Sequence, residues 1–360
     1  MRRLPIYFVL DVSESMIGEN LRNLQNGLAK IVRDLRTDAN ALESVHISVV
    51  AFAGSVRTLA PLVELESFYP PRLPVGSGTS LGAALTHLMA EIDNQVTKTT
   101  SDRKGDWKPI VYLMTDGKPT DDAGPATRRW REHFSKRASL VAIAIGQFAD
   151  VTALQELTDT VLVFSQNQDA DFSKFARWVT ASISIQSQAI NVGASPTRDG
   201  ISLAKFDDPS LVLVNGRSQR VLADEDSVIL VGRCQRKETP YLMRFDRFAV
   251  SLPGIDVPAK EALSTEDGVY MVSGCYPVDE DYFEWSLTAQ PVVRVNVGAL
   301  RGGAGCPHCA NPFAFAVCKC GRLTCVKGSG GAKCPWCGEI GTYAAASEDD
   351  PGMTIARGRG

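Results

Sequence analysis

The chain has 360 residues, 22% of them charged, and a formal net charge of −3. That length suits two or three domains, and so balanced a charge gives no global attraction to nucleic acid or to an anionic membrane. No apolar run reaches the roughly 20 residues of a membrane-spanning helix. Asp11 also interrupts the first apolar run where a signal peptide would need small residues, so a cytoplasmic protein is expected.

Ile6-Tyr7-Phe8-Val9-Leu10 is an unbroken apolar run of the kind that forms a strand buried on both faces. It ends in Asp11, Ser13 and Ser15, oxygen donors at alternate positions, and ligands collect at the carboxyl ends of such strands. Leu21, Leu24, Leu28, Ile31, Val32 and Leu35 keep helical spacing, and strands follow over 45–52 and 56–62. Pro70, Pro71 and Pro74 make 68–74 a loop. Leu81, Leu85, Leu88, Met89 and Ile92 mark a second helix, and 97–106 is a polar linker. A buried strand over 109–114 runs into Thr115-Asp116-Gly117. A weaker helix over about 122–137, strands over 139–146 and 161–164, and a helix striped by Phe172, Phe175, Ala176, Val179 and Ile183 complete the first half. This alternation predicts an α/β domain over 1–186, a Rossmann-like, doubly wound and mainly parallel sheet.

From 187 to 300 the pattern becomes β-rich, in the manner of a small sandwich. Strands are expected over 201–206, 211–214, 228–233, 241–250, 269–274 and 292–297, with turns at Asn215-Gly216, Pro253-Gly254 and Asp267-Gly268. Cys234 and Cys275 stand alone in strand-like runs and read as inert buried thiols. The other seven cysteines crowd into 301–345 as Cys306-x2-Cys309-x8-Cys318-x-Cys320-x4-Cys325-x8-Cys334-x2-Cys337. In a reducing compartment that crowding indicates a metal rather than disulfides. Cys306-Pro307-His308-Cys309 and Cys334-Pro335-Trp336-Cys337 have the form of two zinc knuckles. The simplest arrangement is one Zn²⁺ on Cys306, Cys309, Cys334 and Cys337. The alternative interleaves two ions, Cys318 and Cys320 joining Cys334 and Cys337, with Cys306, Cys309 and Cys325 needing an eighth ligand. Segments 313–317 and 322–326 would form a hairpin between the knuckles, giving a small zinc-ribbon-like domain. Residues 346–360 are expected to be a disordered tail.

The first half resembles the von Willebrand factor A fold and its metal-ion-dependent adhesion site. Three motifs carry the likeness: Asp11-x-Ser13-x-Ser15, the loop Gly78-Thr79-Ser80-Leu81-Gly82-Ala83-Ala84-Leu85, and Thr115-Asp116-Gly117. Taken singly, each also suits a helix cap or a turn. The resemblance implies that Asp11, Ser13, Ser15, Thr79 and Asp116 hold Mg²⁺ or another divalent cation, which accepts an Asp or Glu from a partner protein. Glu14 stands where the family has Gly, and is expected to add negative charge to the rim of the site.

An adhesion-site domain followed by a seven-cysteine module is similar to the TerY-type proteins of bacterial tellurite-resistance and stress clusters. That likeness implies a non-enzymatic scaffold acting beside a Ser/Thr protein kinase and a PP2C-type phosphatase. No phosphate-binding loop or nucleophile elbow occurs, which argues against an enzyme. Two alternatives stay open. A Mg²⁺-dependent phosphohydrolase of the haloacid-dehalogenase type would need an acid where Ser13 stands. A zinc-ribbon protein that binds nucleic acid would need more clustered basic charge than Arg301, Lys319, Arg322, Lys327 and Lys333 offer.

Overall fold

The computed structural model describes residues 2–116, 119–145, 151–164, 169–191, 204, 211–213, 227–247, 269–287, 293–343 and 353–357. They belong to two compact units, 1–221 and 222–359.

In the first unit the strands are β1 (Leu4–Asp11), β2 (Val45–Phe52), β3 (Val56–Glu64), β4 (Ile110–Thr115), β5 (Ser139–Ile145), β6 (Val161–Phe164) and β7 (Leu211–Leu213). The helices are α1 (Glu19–Leu35), α2 (Ala39–Ser44), α3 (Leu81–Gln95), α4 (Gly124–Arg129), α5 (Thr152–Leu157) and α6 (Asp169–Asn191). The sheet order is β3-β2-β1-β4-β5-β6-β7, parallel throughout except at the edges, where β3 and β7 run antiparallel to their neighbours. The expected doubly wound α/β architecture is therefore present. The chain leaves β1 for β2 on one side and later crosses through α3 to β4 on the other. The strand order reverses there, and the carboxyl ends of β1 and β4 frame the crevice where ligands bind in such sheets.

The unbroken apolar run of β1 has a direct cause. Tyr7 and Val9 pack with Val111 and Leu113 beneath Leu81, Leu85 and Leu88 of α3. Phe8 and Leu10 point the other way, toward Leu24 and Leu28 of α1 and Phe175 of α6. With helices on both faces, neither set of alternate residues can be polar. Asp11 and Thr115 continue the series that faces α3, so the polar site begins where the apolar layer stops.

The first unit runs past the expected boundary at 186. Helix α6 continues to Asn191, and β7 pairs with the outer side of β6, Leu211 opposite Phe164. A strand expected in the β-rich module therefore closes the edge of the first sheet. The expected strand over 201–206, apart from Ala204, and the turns at 215–216, 253–254 and 267–268 lie outside the described residues.

The second unit holds β8 (Ser227–Arg233), β9 (Pro240–Arg247), β10 (Tyr270–Pro277), the short helix α7 (Tyr282–Trp285), β11 (Arg294–Asn296), β12 (Leu300–Arg301), β13 (Phe313–Val317), β14 (Leu323–Val326), β15 (Gly330–Lys333), β16 (Ile340–Tyr343) and β17 (Thr354–Ala356). Six strands form one sheet in the order β12-β10-β9-β8-β14-β13. This corrects the expected division at residue 300. Strand β14 of the cysteine-rich end runs parallel to β8 of the β-rich segment, Leu323 opposite Gly232, so the two segments share one core. That core joins Val228, Leu230, Tyr241 and Met243 to Ala314 and Leu323. The expected hairpin of β13 and β14 is present. The expected disordered tail is corrected over Thr354–Ala356, which pairs as β17 with β11.

Gly232 faces Tyr241 across the β8–β9 pair, and a Cβ there would run into the Tyr241 ring. The Tyr241 hydroxyl donates to the Ala314 carbonyl. Gly232→Ala should push the ring aside, break that bond and cost about 1–3 kcal/mol, read as a lower urea midpoint for the second unit.

Candidate metal centres

Of the five residues expected to hold the cation, Asp11 ends β1, Ser13 and Ser15 follow it, Asp116 follows β4, and Thr79 lies on the loop that is bridged to Ser13 at Gly76. Asp11, Ser13, Ser15, Thr79 and Asp116 are all buried. The Asp11 carboxylate accepts the backbone N–H of Ser13 at 2.9 Å and the Thr115 hydroxyl at 2.6 Å. The Ser13 and Ser15 hydroxyls share a hydrogen bond of 2.9 Å. The loop before α3 is tied to the same end of the sheet: Gly76 N–H donates to Val12 O and Ser80 N–H to Ala53 O.

The loop carrying Thr79 and the loop carrying Asp116 are clamped together. Thr79 N–H donates to the Thr120 hydroxyl at 2.8 Å, and Thr120 N–H donates back to the Thr79 carbonyl at 2.8 Å. One residue on, the Asp121 carboxylate accepts Gly82 N–H at 3.1 Å and Ala83 N–H at 3.0 Å, capping the positive end of α3. Thr120 and Asp121 thus fix the separation of two residues that lie far apart in the sequence.

Electrostatically the site favours a cation. Burial, and then the charge of nearby Asp116, raise the Asp11 carboxyl to about 7 against the hydrogen bonds that favour its ionised form. The Thr79 hydroxyl is buried without a hydrogen-bond partner, which costs roughly 1–3 kcal/mol. A hard divalent cation answers both features, because it neutralises paired carboxylates and takes oxygen ligands. Glu14 corrects the expectation of extra charge on the rim: the short 3₁₀ turn Glu14–Met16 rolls it inward, and it is 0% exposed.

The cysteines form two sets. Cys234, Cys306, Cys309 and Cys325 make one, Cys318, Cys320, Cys334 and Cys337 the other, and within each the sulfurs lie within 4.8 Å of one another. The one-ion foursome of Cys306, Cys309, Cys334 and Cys337 is therefore corrected, since its two knuckles belong to different sets. The sulfurs group as the interleaved alternative has them, and the eighth is Cys234, which reads from the sequence as an inert thiol.

Backbone geometry explains the place of Cys234. In each of three turns a cysteine N–H donates to the carbonyl five residues on, and its own carbonyl accepts the N–H four residues on. The turns are Cys234–Thr239, Cys306–Asn311 and Cys334–Glu339. The fourth residue after each cysteine has positive φ: Glu238 at 57°, Ala310 at 59° and Gly338 at 78°. Cys234 thus occupies a knuckle turn that lacks its second cysteine. Lys237 stands in that position, and its N–H reaches the Cys234 sulfur at 3.4 Å. Cys318 and Cys320 lie on a turn one residue shorter, closed by Gly321 at φ 79°.

Further N–H groups face the sulfurs. Gln235 N–H and Asn311 Nδ2 reach Cys325 at 3.3 and 3.4 Å, and Trp336 N–H reaches Cys334 at 3.4 Å. Burial pushes Cys334 up to about 12 and Cys306, Cys320 and Cys325 upward, whereas at Cys318 the Cys320 N–H and the neighbouring thiols outweigh burial and bring the group down to about 7. Four thiols so gathered, with donors that favour thiolate, fit a tetrahedral Zn²⁺ site. His308 is not among the ligand groups. Its Nε2 donates to the Pro240 carbonyl at 2.7 Å and fastens its knuckle to β9.

Comparison with known proteins bears on both halves. The model of the von Willebrand factor type A domain matches residues 6–178, and that of the TerY-C metal binding domain matches residues 224–360. The chain joins a von Willebrand factor A domain to a TerY-C metal binding domain. The human inter-alpha-trypsin inhibitor heavy chain H6 is 26% identical over 161 residues, which are 42% of this chain and 12% of that protein. The chain thus spans only about an eighth of that relative's length. Among solved structures, proximal thread matrix protein 1 from the mussel byssus is 20% identical over 51% of this chain and 48% of its own, with a TM-score of 0.37. The pilus adhesin SpaC from Lactobacillus rhamnosus GG is 14% identical over 52% of this chain and 30% of its own, with a TM-score of 0.40.

Within the A domain, the pH dependence of metal binding has a definite sign. The Asp11 carboxyl titrates near 7 in the fold against 3.8 for the free group. The metal-free fold therefore holds a proton that the unfolded chain releases, and it loses stability as pH rises through that interval. A Mg²⁺ ion bound at Asp11 would displace the same proton. The gain in melting temperature on adding Mg²⁺ should accordingly grow from pH 5 to pH 7 and level off above, as read by calorimetry. For the TerY-C domain, elemental analysis should find two zinc ions per chain, and Cys234→Ser should remove one.

Proposed function

We propose that Asp11, Ser13, Ser15, Thr79 and Asp116 hold a divalent cation, Mg²⁺ by the all-oxygen character of the set, and that the ion docks an Asp or Glu of a partner protein. The observation that carries this reading is two buried carboxylates, Asp11 and Asp116, at the ends of the adjacent strands β1 and β4, with the loop of Asp116 clamped through Thr120 to that of Thr79, whose hydroxyl is buried without a hydrogen-bond partner. Three of the five ligands are neutral hydroxyls, so the ion keeps an electrophilic face, and Mg²⁺ retains waters that an incoming carboxylate displaces.

On this reading the chain is a non-enzymatic cytoplasmic scaffold. The A domain recruits. The TerY-C domain is a rigid platform whose two Cys₄ clusters hold structural Zn²⁺, each closed by four sulfurs with no position left for substrate. The likeness to TerY-type proteins supports a stress or tellurite-resistance setting, with a Ser/Thr kinase and a PP2C-type phosphatase as the proteins recruited.

Capture of partners from the source cells should require Mg²⁺, fall to background in EDTA, and fall equally with Asp11→Ala at unchanged circular dichroism. Capture that persists in EDTA and in the variant would remove the metal from the account.

A further inference from the structure

The two sulfur clusters differ in their access to solvent. Cys234, Cys306 and Cys325 of the first are buried and Cys309 is half-buried, whereas the second pairs buried Cys318 and Cys334 with exposed Cys320 and Cys337. Sulfurs of the first belong to the apolar core of the sheet, beside Tyr241, Met243 and Leu323. The second adjoins a much smaller apolar group of Ala316, Val326 and Tyr343. It also fastens a separate piece of chain. The β15–β16 pair forms a two-stranded sheet of its own, and Cys334 and Cys337 lie in the link between its strands. Trp336 in the same link donates to the Leu323 carbonyl at 2.6 Å and is stacked by Arg233 and Arg322 at 4.7 and 4.8 Å.

We propose that the second cluster is an oxidation site for small hydroperoxides, at which Cys320 or Cys337 is attacked first, a disulfide closes inside that cluster, and its zinc is released while the first cluster keeps its own. This rests on the reading of the clusters as two zinc centres. An exposed thiolate attacks one peroxide oxygen: the O–O bond breaks, an S–O bond forms, and hydroxide or alkoxide leaves. A second thiolate of the same cluster attacks the oxidised sulfur, so that the S–S bond forms and the S–O bond breaks, expelling hydroxide. The two sulfurs supply two electrons, the peroxide takes them, and solvent protons convert the leaving groups to water or alcohol. Two thiolates would then remain where a closed tetrahedral zinc site takes four, too few to retain the metal. The β15–β16 hairpin loses its sulfur fastening while the six-stranded sheet stays closed around the first cluster. Burial withholds Cys234 and Cys325 from the oxidant, and thiol oxidation follows exposure.

The test uses the full zinc-loaded chain. Hydrogen peroxide is added in small excess, zinc release is followed with a chromogenic chelator, and disulfides and free thiols are mapped by mass spectrometry after differential alkylation. The expected result is loss of one zinc of two, a disulfide among Cys318, Cys320, Cys334 and Cys337, free thiols at Cys234 and Cys325, and new protease sensitivity confined to 330–343. Cys325→Ser, which leaves the second cluster intact, should still lose its remaining zinc to peroxide; if that variant does not fold, thiol mapping on the unaltered chain decides alone. A chain that starts with two zinc ions and loses both together, or is oxidised first at Cys275 or in the first cluster, overturns the proposal by itself. A chain that starts with fewer than two overturns the two-centre reading as well.

Discussion

A carboxyl group cut off from water at the end of β1 is the constraint on which the first unit depends. Burying a charge is costly unless it is paired, and here a second carboxylate, Asp116, adds to the cost rather than relieving it. The Ser13 N–H and the Thr115 hydroxyl compensate in part. The remaining imbalance is what a cation would remove. Around this point the fold supplies rigidity. The strands beneath it are packed on both faces, and Thr120 and Asp121 lock its two distant loops to each other and to the start of α3. Repulsion between two buried carboxylates is sensitive to small changes in their spacing, and the clamp limits those changes.

Much of this was legible in the sequence because the signals are local. The apolar run that ends in Asp11, the Ser13 and Ser15 alternation, and the Gly-Thr loop before α3 each place a residue through its immediate neighbours. Glu14 does not reach the rim, because the chain turns into a 3₁₀ segment directly after Ser13 and carries the side chain inward. Strand β7 and strand β17 were assigned to other regions for a different reason. Three-residue strands have little pattern of their own, and their state is decided by the edge they meet: β6 for Leu211–Leu213 and β11 for Thr354–Ala356.

The cysteines show the same limit more sharply. Spacing identified the knuckles at Cys306 and Cys334, but spacing does not say which knuckle shares an ion with which. The hairpin β13–β14 settles that, because it carries Cys318 and Cys320 at its turn and Cys325 on a strand, toward different clusters. Cys234 had no second cysteine to announce it. Its signature is in the backbone: the same pair of hydrogen bonds and the same positive φ, at Glu238, that close the two-cysteine knuckles. Seven sulfurs in the crowded segment argue against two complete sets, and the structure supplies the eighth from outside that segment.

That outside sulfur gives the protein a schedule during its own synthesis. The N–H of Gln235 and the sulfur of Cys325 that it reaches are 90 residues apart along the chain, and every residue between them must leave the ribosome before the first cluster can close. The five oxygen donors of the A domain have all been translated by residue 116. The nascent chain can therefore expose all five of those donors while Cys234 waits as an open thiol, and a transcript truncated before Cys325 would yield the A domain followed by a segment that lacks a sulfur of its first cluster.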